Sequence, residues 1–205
     1  MSRLNEQDHV PAVLTRLDVV ILRLGAHPKA RGLVPALKAV RDALAAADGR
    51  WSAAVVERLA ASLELAFLDG EVDLAWMDLS RNVHARVGGN RKAALWMGLY
   101  SEAPSETVDG TMTDHQTRHV ERVIQIVADQ EAYADFRPQA QRLAAAQAEA
   151  VEGQKRYREA LAKEGAAAHE RNLAAHEARR VHNRVKPELE LMFEETPRLV
   201  RRFWG

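Results

Sequence analysis

Apolar side chains recur at spacings of three and four residues along most of this chain, which places them on one face of an α-helix. The residues between them are mainly alanine, arginine, glutamate and glutamine, all of which favour helices. Runs of β-branched residues, which are typical of strands, are almost missing from the sequence. The pattern therefore predicts an all-α fold, a helical bundle.

Turn-forming residues divide the first half of the chain into four predicted helices. A glycine, or a pair of glycines, follows each apolar run and indicates a helix end. The predicted helices cover residues 10–24, 33–47, 51–69 and 72–87. The glycines that should end them are Gly25, Gly49, Gly70 and the pair Gly88-Gly89.

The first three of these helices have an apolar stripe, which in the second helix contains Leu33, Leu37, Val40 and Leu44. The stripe of the first helix should be buried, because its residues follow helical spacing without a break. It contains Leu14, Leu17, Ile21 and Leu24. The apolar face predicted for the third helix contains Val55, Leu59, Leu63 and Ala66.

A polar segment separates the two halves of the chain. Residues 101–112 are rich in serine, threonine, glycine and acidic side chains, so we predict a linker there. Residues 1–100 would form helical repeat unit 1. Residues 113–205 would form helical repeat unit 2, which opens with a capping box of Thr113 and Gln116 and ends in an amphipathic segment.

Sequence blocks in the second half resemble blocks in the first, which suggests two pseudo-symmetric helical repeats. The pattern R-x-V-H-x-R-V occurs at residues 81–87 and again at 179–185. Chance is the alternative, since helices share apolar spacings easily. Five other positions match at one constant separation: Leu17, Val20, Ile21, Leu24 and Pro35 correspond to Val120, Val123, Ile124, Val127 and Pro138.

The second half also contains a long alanine-rich helical region from Pro138 to about Lys186. Small side chains let helices approach closely, as in the seam of a coiled coil. Pro187 and Pro197 should bracket a short terminal helix. The alanines expected at the seam are Ala146, Ala160, Ala167 and Ala174.

Composition excludes several classes of site. The chain has no cysteine, so disulfides, thiolate nucleophiles and cysteine-ligated metals are absent. Lysine plus arginine number 29 and aspartate plus glutamate 29, so no global field favours a nucleic-acid partner. No apolar run is long enough to suggest a transmembrane segment, and a cytoplasmic location is the default expectation.

Histidines are the candidate ligands for a metal ion or a small molecule. His115 and His119 are four residues apart, so both imidazoles would reach one ion if a third ligand joined them. His84 and His182 occupy equivalent positions in the proposed repeat, each between valine and another residue at a boundary of the core. The alternative for both pairs is a solvated or structural role.

The C-terminal segment combines apolar and basic residues in one short amphipathic helix. Leucine pairs with phenylalanine and valine with tryptophan at i,i+4, while the arginines add positive charge. It would either dock on its own bundle or bind a partner, because tryptophan, phenylalanine and arginine dominate interfaces. The candidate partner-binding residues are Leu199, Val200, Arg201, Arg202, Phe203 and Trp204.

No catalytic constellation and no cofactor motif are present, so we expect no cofactor and assign no catalytic residue. The leading hypothesis is a non-enzymatic interaction or assembly protein, a scaffold or adaptor that binds a protein partner or itself. The first alternative is an enzyme or sensor that uses the histidines. The second is weak nucleic-acid binding through a basic strip from Arg171 to Lys186.

Overall fold

A computed structural model describes residues 4–5, 7–100, 104 and 114–204, with every side chain among them except those of Asp114 and His115. These residues form helices and turns, with no strand among them, so the predicted all-α helical bundle is confirmed. The predicted linker at residues 101–112 lies outside the described residues except for Pro104. Thr113 of the predicted capping box also lies outside them.

Six α-helices are described in this part of the chain, and two of them are very long. Short 3-10 helices, Arg31–Leu33 and Glu131–Phe136, lead into the two long helices. The α-helices are α1 (Val10–Gly25), α2 (Val34–Arg86), α3 (Ala94–Leu99), α4 (Asp114–Asp129), α5 (Arg137–Met192) and α6 (Pro197–Trp204).

Helix α2 replaces three predicted helices, so the helix ends expected at Gly49 and Gly70 were wrong. A single glycine inside a helix costs only about 1 kcal/mol relative to alanine, and strong helix formers surround both positions. The end predicted at Gly88-Gly89 is confirmed. Both glycines have positive φ, 58° and 82°, and the Gly89 amide donates to the carbonyl of His84 at 3.0 Å.

The sequence predicted that Pro187 would bracket a terminal helix, and this was wrong. Pro187 lies inside α5. Proline removes one backbone hydrogen bond and strains the turn before it. The helix nevertheless continues to Met192, because Leu189 beyond the proline is fully buried and Phe193 nearly so. Pro197 does begin α6, where its missing N–H would have no helical partner.

Contacts divide the chain into two compact units. Unit 1 takes the chain up to Glu57 and again from Leu161 onward, whereas unit 2 is the continuous stretch from Arg58 to Ala160. Each unit therefore contains part of α2 and part of α5. The two units are defined by contacts and not by position along the chain. The predicted division into residues 1–100 and 113–205, with a linker at 101–112, therefore stays a prediction.

The core of unit 1 is built around α1. Of the predicted stripe, Leu17 and Leu24 are fully buried, while Leu14 and Ile21 are half-buried and pack against the core. Other elements supply the rest of this core through Leu37, Leu44, Ala175, Ala178, Leu189, Phe193, Val200, Phe203 and Trp204.

In unit 1, charged pairs connect the α2 segment to the α5 segment. Asp48 accepts from Arg171 at 2.6 Å, Glu170 from Arg50 at 3.0 Å and Glu57 from Lys163 at 2.5 Å. Because residue numbers rise along α2 as they fall along α5, the two segments run antiparallel. The exposed pairs Arg50–Glu170 and Lys163–Glu57 contribute little stability, about 0–1 kcal/mol each, whereas the pair Arg171–Asp48 is partly buried.

Unit 2 has a core richer in aromatic residues. Trp76 is fully buried, and its Nε1 donates to the carbonyl of Pro104 at 2.9 Å. Its ring meets that of Tyr100 edge to face, with centroids 5.4 Å apart. Helices α3 to α5 complete this core through Trp96, Leu99, Val120, Val123, Val127, Tyr133, Phe136, Ala140, Leu143 and Ala150.

Candidate functional site

The C-terminal helix α6 packs into the core of unit 1. Phe203 stacks near Phe193 with ring centroids 5.6 Å apart, and Arg23 donates to the Phe203 carbonyl at 3.3 Å. Val200, Phe203 and Trp204 are buried, Leu199 is half-buried, and only Arg201 and Arg202 of the predicted partner-binding set are exposed. The aromatic side chains of α6 therefore pack within unit 1, and partner binding through α6 stays a prediction.

A groove of about 660 Å³ lies between α6 and the end of α5. Its rim carries both signs of charge, with Lys186 3.7 Å from Glu190 and with Arg201 and Glu194 nearby. Mixed charge gives the groove no strong preference for an anion or a cation. Its apolar lining comes from Phe193, Pro197, Val200 and Trp204.

His182 lies in the core of unit 1, so the boundary position predicted for it was wrong. Its ring packs on that of Trp204 with centroids 4.5 Å apart, and its Nδ1 lies 3.2 Å from Oδ1 of Asn183. Asn183 in turn pairs with both backbone polar groups of Leu4, at 3.0 and 3.1 Å. Burial lowers the pKa of His182, which favours the neutral imidazole.

His84 has a different environment, in unit 2. It is half-buried, and its ring meets that of Trp96 edge to face at 5.4 Å. It lines a small cavity of about 140 Å³ together with Arg81 and Arg91, whose guanidinium lies 5.7 Å from the centre of the Trp96 ring. The predicted equivalence of His84 and His182 stays a prediction.

His119 is buried in unit 2, with its ring 5.5 Å from that of Trp76. The side chain of His115 lies outside the described residues, so the predicted pair stays untested. Within the described part of the chain, no three histidine, aspartate or glutamate side chains are placed to hold one metal ion.

Sequence reasoning missed a pair of acidic residues on α2 in this same core. Asp69 is buried and Asp73 is half-buried one turn later; Gln116 donates to Asp73 at 3.1 Å. Burial first, and then repulsion from Asp69, raises the pKa of Asp73 to about 6, while the hydrogen bond from Gln116 opposes the shift. The sequence signal that could have revealed this pair is its i,i+4 spacing beside the apolar residues Val72 and Trp76.

The basic strip from Arg171 to Lys186 is largely paired within the chain. Arg171 binds Asp48, and Arg180 donates to Glu177 at 2.6 Å. Arg179 donates to the backbone carbonyl of Asp8 at 2.6 Å. Carboxylates within the chain thus offset the charges of Arg171 and Arg180, and nucleic-acid binding through this strip stays a prediction.

The part of α2 in unit 2 exposes large apolar side chains on the side opposite its core. Leu59, Leu63, Phe67 and Leu74 are between 49% and 73% exposed. With the small residues Ala66 and Gly70 they occupy an arc of roughly 100° on the helix. We call these six residues the outer face.

The opposite side of the same segment packs in the core through Leu68, Val72 and Trp76. Of the predicted apolar face, Leu59, Leu63 and Ala66 are exposed and only Val55 is half-buried, so the expectation that this face is buried was wrong. A helix with apolar residues on two opposite sides was the signal that could have revealed it.

The outer face is similar in size to the largest apolar patch of a typical monomer. With about 200 Å² for a fully exposed large side chain, its four large residues present roughly 500 Å² of apolar surface. The largest apolar patch on a typical monomer is about 300–600 Å² and often functional. The outer face is therefore the strongest candidate for an interaction surface on the described residues.

No protein-family model, curated protein or solved structure matches this chain. Of the helices described, none combines the length and apolarity needed to cross a membrane.

Proposed function

We propose that this chain is a non-enzymatic interaction and assembly protein whose binding surface is the outer face of α2. The observation that carries the proposal is the exposure of Leu59, Leu63, Phe67 and Leu74 on one arc of one rigid helix. Exposed apolar area gives a driving force for association because water is released when it is covered. The outer face contains no charged residue that would oppose this.

The position of α6 supports the choice of this surface over the C-terminal one. Phe203 and Trp204 are buried within unit 1, so partner binding through them would require their removal from the core. Truncation of a buried large aromatic residue costs about 3–5 kcal/mol, which indicates how strongly such a residue is held. The outer face needs no rearrangement before it binds.

The experiment is to compare association of the wild-type chain with that of a Leu63→Glu, Phe67→Glu double variant. The matched control is Leu22→Glu, because Leu22 is 75% exposed on α1 and lies outside the outer face. Association is measured in two ways, by light scattering on purified protein and by partner capture from the source cell. Loss of association in the double variant, with association kept in the Leu22→Glu control, supports the proposal.

A wild-type chain that stays monomeric and captures no partner contradicts the proposal. So does a double variant that associates as well as the wild type. Circular dichroism on all three proteins checks that the substitutions leave the helices intact, as expected for exposed positions.

We also infer that the chain arose by internal duplication, for which the burial pattern gives support beyond the sequence matches. Buried positions in α1 and early α2 recur in α4 and early α5 at one constant separation. The pairs are Leu17 and Val120, Val20 and Val123, Leu24 and Val127, Leu37 and Ala140, and Ala47 and Ala150.

Late α2 and late α5 show a similar correspondence of buried residues, with a slightly larger separation. The pairs are Val72 and Ala178, Trp76 and His182, Leu79 and Val185, and Val83 and Leu189. This register pairs His182 with Trp76, whereas the R-x-V-H-x-R-V match pairs His182 with His84, so the burial pattern supports the constant-separation match of the first helices and replaces the R-x-V-H-x-R-V alignment. An experimental structure whose two sets of helices fail to superpose would remove the duplication.

A further inference from the structure

We infer that α6 is an acid-released segment, which stays docked on unit 1 while the buried imidazole of His182 is neutral and detaches when that imidazole is protonated. The contact on which this depends is that of His182 with Trp204, whose ring centroids lie 4.5 Å apart. His182 is fully buried and Trp204 is 4% exposed. A proton therefore reaches the His182 ring only when the groups that cover it move away.

Hydrogen bonds determine which nitrogen of the neutral His182 ring carries the hydrogen. The Leu4 amide donates to Oδ1 of Asn183 at 3.0 Å, and Nδ2 of Asn183 donates to the Leu4 carbonyl at 3.1 Å. Oδ1 of Asn183 is therefore an acceptor, and Nδ1 of His182, 3.2 Å away, is the donor. The ring is thus the tautomer with hydrogen on Nδ1, and its Nε2 carries a lone pair.

Nε2 of His182 is buried and has no hydrogen-bond partner among the described residues. A lone pair is tolerated in apolar surroundings more easily than a charged N–H without an acceptor. The face of the Trp204 ring attracts a cation, but this attraction is smaller than the cost of burying an unsatisfied charge. The docked state of α6 therefore accepts the neutral ring and excludes the imidazolium.

The charged groups around His182 do not offset this cost. Asp8 would attract an imidazolium, but it is already paired with Arg16 of α1 at 3.3 Å, and Arg16 repels a second positive charge. All charged side chains of α6, and all those within four residues of His182 on α5, are basic. They are Arg198, Arg201 and Arg202 on α6, and Arg179, Arg180, Arg184 and Lys186 on α5.

The sign of the pH dependence follows from these groups. An unburied histidine has a pKa of about 6.5, so the detached state takes up a proton as the pH falls below that value. Burial lowers the pKa of His182 in the docked state, which takes up the proton only at lower pH. Docking is therefore strongest above about pH 7.5 and weakens as the pH falls through 6.5. Between pH 8 and pH 5 the detached state should gain roughly thirtyfold over the docked one.

Helix α6 is small enough to detach without the rest of unit 1. It has eight residues and follows a turn closed by the Thr196 amide, which donates to the Phe193 carbonyl at 2.9 Å. Short segments of this kind open locally at a lower free energy than a whole unit. Detachment would expose Val200, Phe203 and Trp204 beside the arginines of α6, a surface that docking hides.

The absence of cysteine from the chain allows one introduced thiol to report on docking. Val200→Cys places the thiol at a position that is 5% exposed, whereas Arg202→Cys places it at an exposed position of the same helix. Both react with 4,4′-dithiodipyridine across this pH range. The Arg202→Cys rate corrects for thiol ionisation at each pH, so the ratio of the two rates measures how often α6 detaches.

We expect this ratio to rise roughly thirtyfold from pH 8 to pH 5 in the 205-residue chain, and less than about threefold in a His182→Gln background. Glutamine can still donate to Asn183 and does not titrate in this range. His176→Gln, at an exposed histidine of the same helix, is the matched control and should keep the full rise. A ratio independent of pH in the presence of His182 overturns the inference, as does an equal rise in its absence.

His27 is the other histidine in contact with α6, since its ring lies 5.6 Å from that of Phe203. A rise that survives His182→Gln and is lost in His27→Gln would assign the coupling to His27 and overturn the inference.

A second measurement needs no substitution at His182 and covers the case in which His182→Gln detaches α6 at every pH. Long-range ¹H–¹⁵N NMR spectra distinguish the two neutral tautomers of an imidazole. We expect the His182 ring to carry its hydrogen on Nδ1 at pH 7.5, and to become an imidazolium only as the α6 amides lose protection from exchange. Hydrogen on Nε2 at pH 7.5, or an imidazolium beside protected α6 amides, overturns the inference.

Discussion

Replacement of Asp73 by asparagine should stabilise unit 2 at neutral pH and leave its stability nearly unchanged near pH 4. The carboxyl has a pKa of about 6 in the folded chain, against an ordinary value of 3.8. Between these two values the folded state holds a proton that the unfolded state has lost. Folding stability therefore falls as pH rises from about 4 to about 6, and the full loss persists above that range.

The magnitude follows from the size of the shift and the position of the side chain. Two pKa units correspond to about 3 kcal/mol for a fully desolvated group. Asp73 is only half-buried, so solvent screening reduces this to roughly 1 kcal/mol. Asparagine keeps an oxygen that can accept from Gln116, so the substitution removes the charge and keeps the hydrogen bond.

Urea denaturation of wild type and Asp73→Asn at several pH values between 4 and 8 measures the difference in unfolding free energy. The control is Asp78→Asn, on the same helix and with an amide partner of its own in Asn82. A gain for Asp73→Asn that is the same at pH 4 and pH 8 would refute the reasoning, since charge would then not be its cause.

Three further predictions concern packing and hydrogen bonding. Gly98→Ala should destabilise unit 2 by about 1–3 kcal/mol in thermal denaturation. The added Cβ would collide with the Tyr133 hydroxyl, which donates to the Leu95 carbonyl. An unchanged unfolding midpoint would argue against this packing. Asn183→Ala should lower the free energy of unfolding by about 1–2 kcal/mol and speed hydrogen exchange at the Leu4 amide, because both hydrogen bonds to Leu4 disappear. An unchanged exchange rate would contradict this prediction. Trp204→Ala should cost about 3–5 kcal/mol in urea denaturation, because the ring is buried beside His182; a loss below about 1 kcal/mol would contradict its place in the core.

Helical periodicity was sufficient to predict α1 and its buried residues Leu17 and Leu24, because local spacing and burial agree there. It was insufficient for α2. The pairs Asp48-Gly49 and Asp69-Gly70 are turn signals in isolation, yet the backbone stays helical at both. Only the double glycine at Gly88-Gly89 adopts positive φ and ends the helix. Packing along the whole helix outweighs one glycine at a time.

The outer face could be found but not oriented from sequence. In the stretch from the third to the fourth predicted helix, Leu59 and Leu63 lie on one side and Leu68 and Val72 on the other, and both sides have helical spacing. The side that faces the core depends on where α4 and α5 pack, which involves residues far along the chain. The acidic pair was missed for the same reason, since the pKa of Asp73 is raised by burial first and then by Asp69.

The discontinuity of unit 1 sets an order of events during synthesis. Unit 2 is continuous in sequence, so its parts can meet soon after they are made. Unit 1 must wait for residues from Leu161 onward, and its loop closure spans the whole of unit 2. Until then Leu37 and Leu44 lack the α5 segment that covers them. A nascent chain paused within α5 should therefore be a substrate for chaperones that recognise exposed apolar helices.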